Sequence, residues 1–374
     1  MDFNVTEAEA AAAELAARVL SASAPVALAE DASGRGTDLD GSLWKELGQA
    51  GLLSLAVPAE LGGEGLGIQA TAAVLTEVGK HAARVPALAT LALGVLPVAR
   101  SADSDVKDLL LSGVGAGETI LTAAIREPSR PMPLAPATIA TVHQQGTTVS
   151  GVKVGVPYAA AARWILVPAS TNAGDAIVVV VEPDADGLSC QRTPSSSGLP
   201  EYTIRLSDSP VLAVLQGCSV ADLYYLAAAG ACAVADGVLA AALDLTTTHI
   251  RTREQFGRPL ATFQAVAQQI ADVYAAARTM HLITVSACWQ LDQGRGDGAA
   301  ERDVDVAAYW LAEYGPAALR TCHHLHGGLG MDVTYPLPRY SALMTDLAAF
   351  VGGAAERLDR LGAREAGDGP CSLT

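Results

Sequence analysis

Two short stretches hold the residues whose types and spacing could do chemistry. The first is Arg253-Glu254-Gln255-Phe256-Gly257-Arg258-Pro259, which sets basic groups beside an aromatic ring. Arginine can hold a phosphate or carboxylate through charge-assisted hydrogen bonds. The second is His323-His324-Leu325-His326-Gly327-Gly328-Leu329-Gly330. Glycine has no side chain to keep a ligand off the backbone, so a Gly-Gly-x-Gly loop admits close approach. The three histidines invite a metal reading. Their spacing spreads them round a helix end, and no carboxylate or cysteine is suitably placed to join them, so no metal site is expected. Tyr224 and Tyr225 are poor bases, with a reference pKa of about 10. Glu356 is a carboxylate beside Arg357 and Arg360.

The elements that must position these groups are two long helices and the turn between them. Ser219 can cap the first, with Asp222 three residues on completing a capping-box-like pair. The helix then runs through YYLAAAGACAVADGVLAAALDL, where Gly230 and Gly237 lie seven residues apart on one face. Glycine costs about 1 kcal/mol relative to alanine inside a helix, so both positions imply close packing. Gly257 and Pro259 end it. The second helix restarts an i, i+3, i+4 pattern with Phe263, Val266, Ile270 and Tyr274. A polar stretch from Asp292 leads to a further helix, from about Ala299 to His323.

The chain divides into three parts by period. Residues 1–117 read as helices, at Thr6 onward, Asp40–Ala50, Thr71–His81 and Pro86 to about Leu96. Residues 118–216 change to period two, with strands at Ile120–Ile125, Ala137–Val142, Thr148–Lys153, Arg163–Val167, Ala176–Val181 and Tyr202–Leu206. Short strands at this spacing suggest a small barrel or sandwich. Residues 217–374 return to helices.

Half of the 374 residues are apolar, so the chain can bury a large core. A net charge of -16 argues against nucleic acid or an anionic membrane as partner. No apolar run near the N-terminus reads as a membrane span or signal peptide. The six cysteines lack pairing or metal spacing, as expected of reduced thiols in a cytoplasmic protein.

R-T-R-E-Q-F-G-R-P-L-x-x-F-Q-A-V from Arg251 resembles a signature of the acyl-CoA dehydrogenase family, flavoproteins that desaturate acyl-CoA thioesters. V-P-A-E-L-G-G-E-G-L-G from Val57 resembles the family's loop between N-terminal helices. G-V-K-V-G-V-P-Y-A-A-A-A from Gly151 resembles its middle-domain strand and turn. The Gly327 loop followed by Pro-x-x-Arg-Tyr340 resembles its second signature. The resemblance implies an α+β fold with an N-terminal helical domain, a middle β-barrel and a C-terminal four-helix bundle, and it implies FAD. Arg253 would meet the cofactor diphosphate, Phe256 would pack on the adenine or ribose side, and Gln264 would hydrogen-bond nearby. Gly327, Gly328 and Gly330 would let backbone reach the diphosphate, and His324 stands where many relatives have glutamine.

The chain departs from the family on the ring side of that cofactor. Relatives carry a Thr-Glu-Pro-like loop and then Gly-Ser-Asp. Here Ile125-Arg126-Glu127-Pro128-Ser129-Arg130-Pro131-Met132-Pro133 keeps Glu-Pro alone. The two family positions for the catalytic glutamate read Ala227 and Val351 or Gly352, leaving no base, with Glu356 as a displaced candidate. In the family the flavin spans a subunit interface. A chain that keeps the ADP side and loses the ring side resembles the base-lacking subunit of heteromeric α2β2 steroid side-chain dehydrogenases. The implied partners are a paralogous subunit carrying the glutamate, an acyl-CoA substrate and an electron-transfer flavoprotein. A self-sufficient homomeric enzyme using Glu356, or a flavin-free scaffold, are the alternatives.

Overall fold

The computed structural model describes residues 6–22, 39–101, 103–144, 146–294 and 298–367. Cys371 lies outside them. Helices come first: α1 (Glu7–Ala22), α2 (Gly41–Gln49) and α3 (Ile68–Lys80). Local chemistry starts them. The Thr6 hydroxyl accepts from the Glu9 N–H while the Glu9 carboxylate accepts from the Thr6 N–H, and Asp40 accepts from the Leu43 N–H. Helix α3 is capped from far away, because the Asp292 carboxylate accepts from the N–H groups of Ile68 and Gln69.

The segment expected as an ordinary helix from Pro86 is a π-helix over Leu88–Val95, running into α4 (Leu96–Ala99). Pro97 is the reason. Its ring crowds the carbonyl four residues back and it brings no N–H. A wider turn relieves this, and Leu96 N–H reaches five residues back, to Leu91 O. Helix α5 (Ser104–Leu111) follows, capped by Asp103.

The middle of the chain is one eight-stranded sheet: β1 (Leu121–Ala123), β2 (Ile139–His143), β3 (Gly146–Pro157), β4 (Trp164–Thr171), β5 (Ala176–Val181), β6 (Leu188–Thr193), β7 (Glu201–Pro210) and β8 (Ala213–Val214). Its order is β6-β7-β3-β2-β4-β5-β8, with β1 parallel to β4. The barrel expected here is, in its hydrogen bonding, an open sheet, since no pairing joins β6 to β8 among the described residues. The all-apolar runs Ile165–Val167 and Val178–Val181 are fully buried in its centre. The two unexpected strands, β6 and β8, are its edges.

Five helices complete the chain. Helix α6 (Val220–Thr252) leads through a two-residue hairpin, β9 (Glu254–Gln255) and β10 (Arg258–Pro259), to α7 (Gln264–Gln293). Then come α8 (Ala299–His326), a 3-10 turn over Gly327–Met331, α9 (Leu337–Phe350) and α10 (Gly353–Gly367). Helices α6 to α9 pack as the expected four-helix group, and α10 lies against α8. The Ser219–Asp222 capping box forms as read from the sequence. Helix α6 is long and apolar enough to cross a membrane, but 83% of its most apolar window is buried inside the protein. It is the central helix. A Cβ at Gly237 would come within 1.9 Å of Thr76 O, and one at Gly230 within 2.5 Å of the Ala92 Cβ. Both glycines therefore set the contact of α6 with α3 and the π-helical stretch.

The outer half of α7 departs from expectation. Tyr274, placed on the apolar stripe, is 60% exposed, and Gln264, Ala265 and Gln268 are exposed beside it.

Candidate functional site

The two chemical stretches meet at one end of the helical group. His249, one turn before Arg253, stacks on His326 with ring centroids 4.4 Å apart, so the ends of α6 and α8 lie side by side. Arg253 N–H donates to His249 O, and Arg253 O accepts from Leu260 N–H, closing the hairpin. Phe256 and Gly257 both adopt positive φ, 54° and 74°, which the tight two-residue turn requires. The turn holds Phe256 out, 91% exposed, with the edge of Phe263 as its ring contact. Arg258 covers the other ring, at 4.1 Å from the Phe263 centroid. Arg253 is exposed and makes no ion pair among the described residues. Gln264 opens α7, whose N-terminus has no side-chain cap. The first N–H groups of a helix lack internal partners and favour anions.

At the glycine loop, a Cβ on Gly327 or Gly328 would meet nothing within 4 Å, whereas Gly330 is buried against His323 and His326. His324 is exposed. His326 is buried; its Nδ1 donates to Cys322 O and its Nε2 has no partner. Burial, with the neighbouring histidines adding to it, pushes the His326 pKa down, so the ring is neutral near pH 7. No cluster of His, Cys, Asp or Glu among the described residues could hold a metal. This end thus offers open backbone, a free guanidinium and a projecting aromatic ring. Those features fit the ADP half of a dinucleotide.

The side where the resemblance places the flavin ring is different. Glu127 is buried, and its carboxylate accepts from Lys153 Nζ (2.9 Å), Thr138 N (2.9 Å), Thr138 Oγ1 (2.7 Å) and Ala137 N (2.7 Å). Burial works to raise this carboxyl, but the Lys153 ammonium and these hydrogen bonds outweigh it and bring it down to about 2. Burial in turn pulls Lys153 down to about 8 against the attraction of Glu127, so the pair is intact at neutral pH. With Glu127 fixed, the chain turns sharply. Glu127 and Arg130 exchange backbone hydrogen bonds, and Ser129 and Met132 take positive φ.

The loop is then clamped from the helices. Tyr224 Oη donates to Pro133 O at 3.0 Å. Arg360 Nη2 donates to Met132 O at 2.6 Å and Pro131 O at 3.2 Å. Buried Arg357 reaches the Met132 sulfur, donates to Val351 O and pairs with buried Asp305 at 2.8 Å. Arg364 joins Asp305 and the Tyr225 hydroxyl. Neither tyrosine can serve as a base, because burial pushes both hydroxyls further up.

Ala227 and Val351 are fully buried, and the Val351 carbonyl is taken by Arg357. Gly352 has φ 91°, and a Cβ there would stand 2.8 Å from Pro131 Cγ. A glutamate at that position would collide with the Pro131 turn. Glu356 lies one turn on, ion-paired with Arg360 at 3.0 Å. What remains between loop and helix is a cavity of about 440 Å³ lined by Arg126, Arg130, Pro131 and Gly352, among others. Asp305 and Lys153 escaped sequence reasoning. Lys153 is a lone charge in an apolar run, which is itself a signal of a buried partner, whereas Asp305 follows Glu301, Arg302 and Asp303 and carries no such signal.

Comparison with known proteins identifies the family and fold. The profile of the acyl-CoA dehydrogenase N-terminal domain matches residues 6–118, and that of the C-terminal domain matches residues 225–366. Acyl-CoA dehydrogenase FadE28 of Mycobacterium tuberculosis is 45% identical over 88% of this chain and 93% of its own length. A chain of the ChsE4-ChsE5 complex from Mycobacterium tuberculosis superposes with TM-score 0.90 at 31% identity, covering 99% of this chain and 100% of its own. A chain of the Tcur3481-Tcur3483 steroid ACAD G363A variant does so with TM-score 0.88 at 34% identity, covering 96% and 98%. Solved neighbours of this fold include complexes with FAD and with FADH2. The matched halves on either side of the sheet, and the likeness along nearly the whole chain, make this protein a member of the acyl-CoA dehydrogenase family.

Proposed function

We propose that this chain is the base-lacking subunit of an FAD-dependent acyl-CoA dehydrogenase and completes the FAD site of a paralogous, glutamate-bearing partner. One observation carries the reading. The Pro131–Met132 turn, held by Arg357 and Arg360, stands against Gly352 and leaves no room for a glutamate there, while the Arg253 end is open and its charge is unpaired. FAD, when bound, accepts the hydride from the substrate Cβ in α,β-desaturation. The partner's carboxylate would take the α-proton. Here Arg253 would hold the diphosphate with the α7 N-terminus behind it, and Gly327 and Gly328 would let the backbone close on it. Phe256 would cover the adenine or ribose, and Gln264 and His324 would border the site. The names of the relatives favour a steroid acyl-CoA as substrate and a heteromeric assembly. An electron-transfer flavoprotein would take the electrons onward.

The test is flavin absorbance and native mass, for the chain expressed alone and then with the product of the neighbouring gene. Flavin appearing only in the mixed assembly, at about one per two chains, supports the reading. A lone chain that carries a full complement of flavin and oxidises acyl-CoA refutes it.

A further inference from the structure

The cavity beside Gly352 keeps groups that the subunit role leaves unused. Arg126 and Arg130 line it, and neither makes an ion pair or a side-chain hydrogen bond among the described residues. The other arginines of this face, Arg357, Arg360 and Arg364, are all engaged. Arg126 is half-buried and Arg130 is exposed, so both unpaired guanidinium groups are accessible to an incoming anion. The facing wall is Gly352-Gly353, the start of the 15-residue helix α10. Its first N–H groups have no internal partner and carry a partial positive charge. No side chain among the described residues caps them.

The neighbouring carboxylates do not answer this charge. Glu127 is spent on Lys153, and Glu356 on Arg360. Glu201 feels Arg126 but makes no ion pair with it among the described residues, while burial, and after it Asp346, pushes its carboxyl up. At about 440 Å³ the space exceeds a lone oxyanion and falls in the size range of small-molecule sites.

We propose that this cavity is an anion-binding site, in which Arg126, Arg130 and the N-terminus of α10 hold the phosphate or carboxylate head of a small molecule. The planar fork of arginine suits either group bidentately. The inference rests on the subunit reading in one respect: a flavin ring in this subunit's own cleft would fill the same space.

The experiment is isothermal titration of the full-length chain, in the assembly in which it purifies, with inorganic phosphate and separately with hexanoate. The expected result is saturable binding of at least one probe, with a dissociation constant below about 5 mM, weakening as salt is raised. Arg126→Gln and Arg130→Gln should each weaken it about tenfold or more, and Arg126→Lys should restore part of the loss. Binding of phosphate alone identifies a phosphate-ester head, and binding of hexanoate alone identifies an acid with an apolar tail. Absence of saturable binding by either probe overturns the proposal, as does binding that both glutamine variants leave unchanged. Circular dichroism of each variant controls for folding, and Arg126→Lys keeps the test open where a glutamine variant fails to fold. Flavin absorbance on the same sample separates the two ideas. Full flavin in the lone chain sinks the subunit role, whereas arginine-dependent anion binding stands or falls by itself.

Discussion

Single residues carry opposite fates at the two ends of the cofactor cleft. Arg253 is solvent-exposed and unpaired, so its replacement removes an interaction with something outside the chain. A charge-assisted hydrogen bond contributes about 1.5–3 kcal/mol. Arg253→Ala in the mixed assembly should therefore weaken flavin binding about 10- to 100-fold, read by equilibrium dialysis, with the melting point of the flavin-free chain unchanged. Glu356 tests the opposite fate. A working general base contributes about 10²–10⁴-fold, but Glu356 is already committed to Arg360. Glu356→Gln should leave turnover of the assembly within about twofold; a loss of a hundredfold would restore it as the base. Glu127 marks a structural use of charge. Its pKa is held near 2, against an ordinary value of 4.5. Its contribution is thus complete above pH 4.5 and is lost as pH falls from there through 2, while Lys153 stays charged throughout. The difference is worth about 3 kcal/mol. Urea unfolding at pH 6 and pH 3 should show the wild type losing more stability than Glu127→Gln over that interval, and an equal loss in both would contradict the assignment.

Elements came through the sequence unevenly, and the reasons are physical. Helices were legible where caps and periodicity agree, as at Thr6, Asp40 and Ser219. The central strands were legible because β4 and β5 are continuous apolar runs. Strand β6 was not, since LSCQRT is a half-exposed edge strand with no apolar alternation to read. The π-helical stretch was hidden because Pro97 acts backwards on residues whose composition looks helical. The Arg253 turn and the Gly327 loop were legible because local backbone geometry is written locally. The clamp on Met132 was not, because it joins residues as far apart as Met132 and Arg360. Gly237 is the glycine whose packing reason can be tested. Alanine there gains about 1 kcal/mol of helix propensity, but its Cβ would meet the backbone of α3 at 1.9 Å. Overpacking against backbone costs more than that gain. Gly237→Ala should lower unfolding stability by about 2 kcal/mol or more in urea titration, and a stabilised variant would show that α3 yields freely.

The whole molecule has an apolar surface that its own fold does not cover. Phe256, Tyr274, Leu329, Met331 and Val333 are all exposed, and they cluster in sequence at the hairpin, the outer half of α7 and the glycine loop. Soluble proteins expose single apolar residues freely, but groups of them mark surfaces that another molecule covers. The subunit reading assigns that cover to the paralogous partner and the ADP half of the flavin. Methionine oxidation can report on it directly. Met331 is 74% exposed, whereas Met132, Met280 and Met344 are fully buried and serve as internal controls. Sulfoxide formation follows solvent access. In dilute hydrogen peroxide, followed by peptide mass spectrometry, Met331 of the lone chain should oxidise at least about tenfold faster than the three buried methionines. In the flavin-loaded mixed assembly its rate should fall towards theirs. A rate at Met331 that is the same in both states would mean that the glycine-loop face stays open to solvent in the assembly, and the partner would then have to be sought on another face of the helical group.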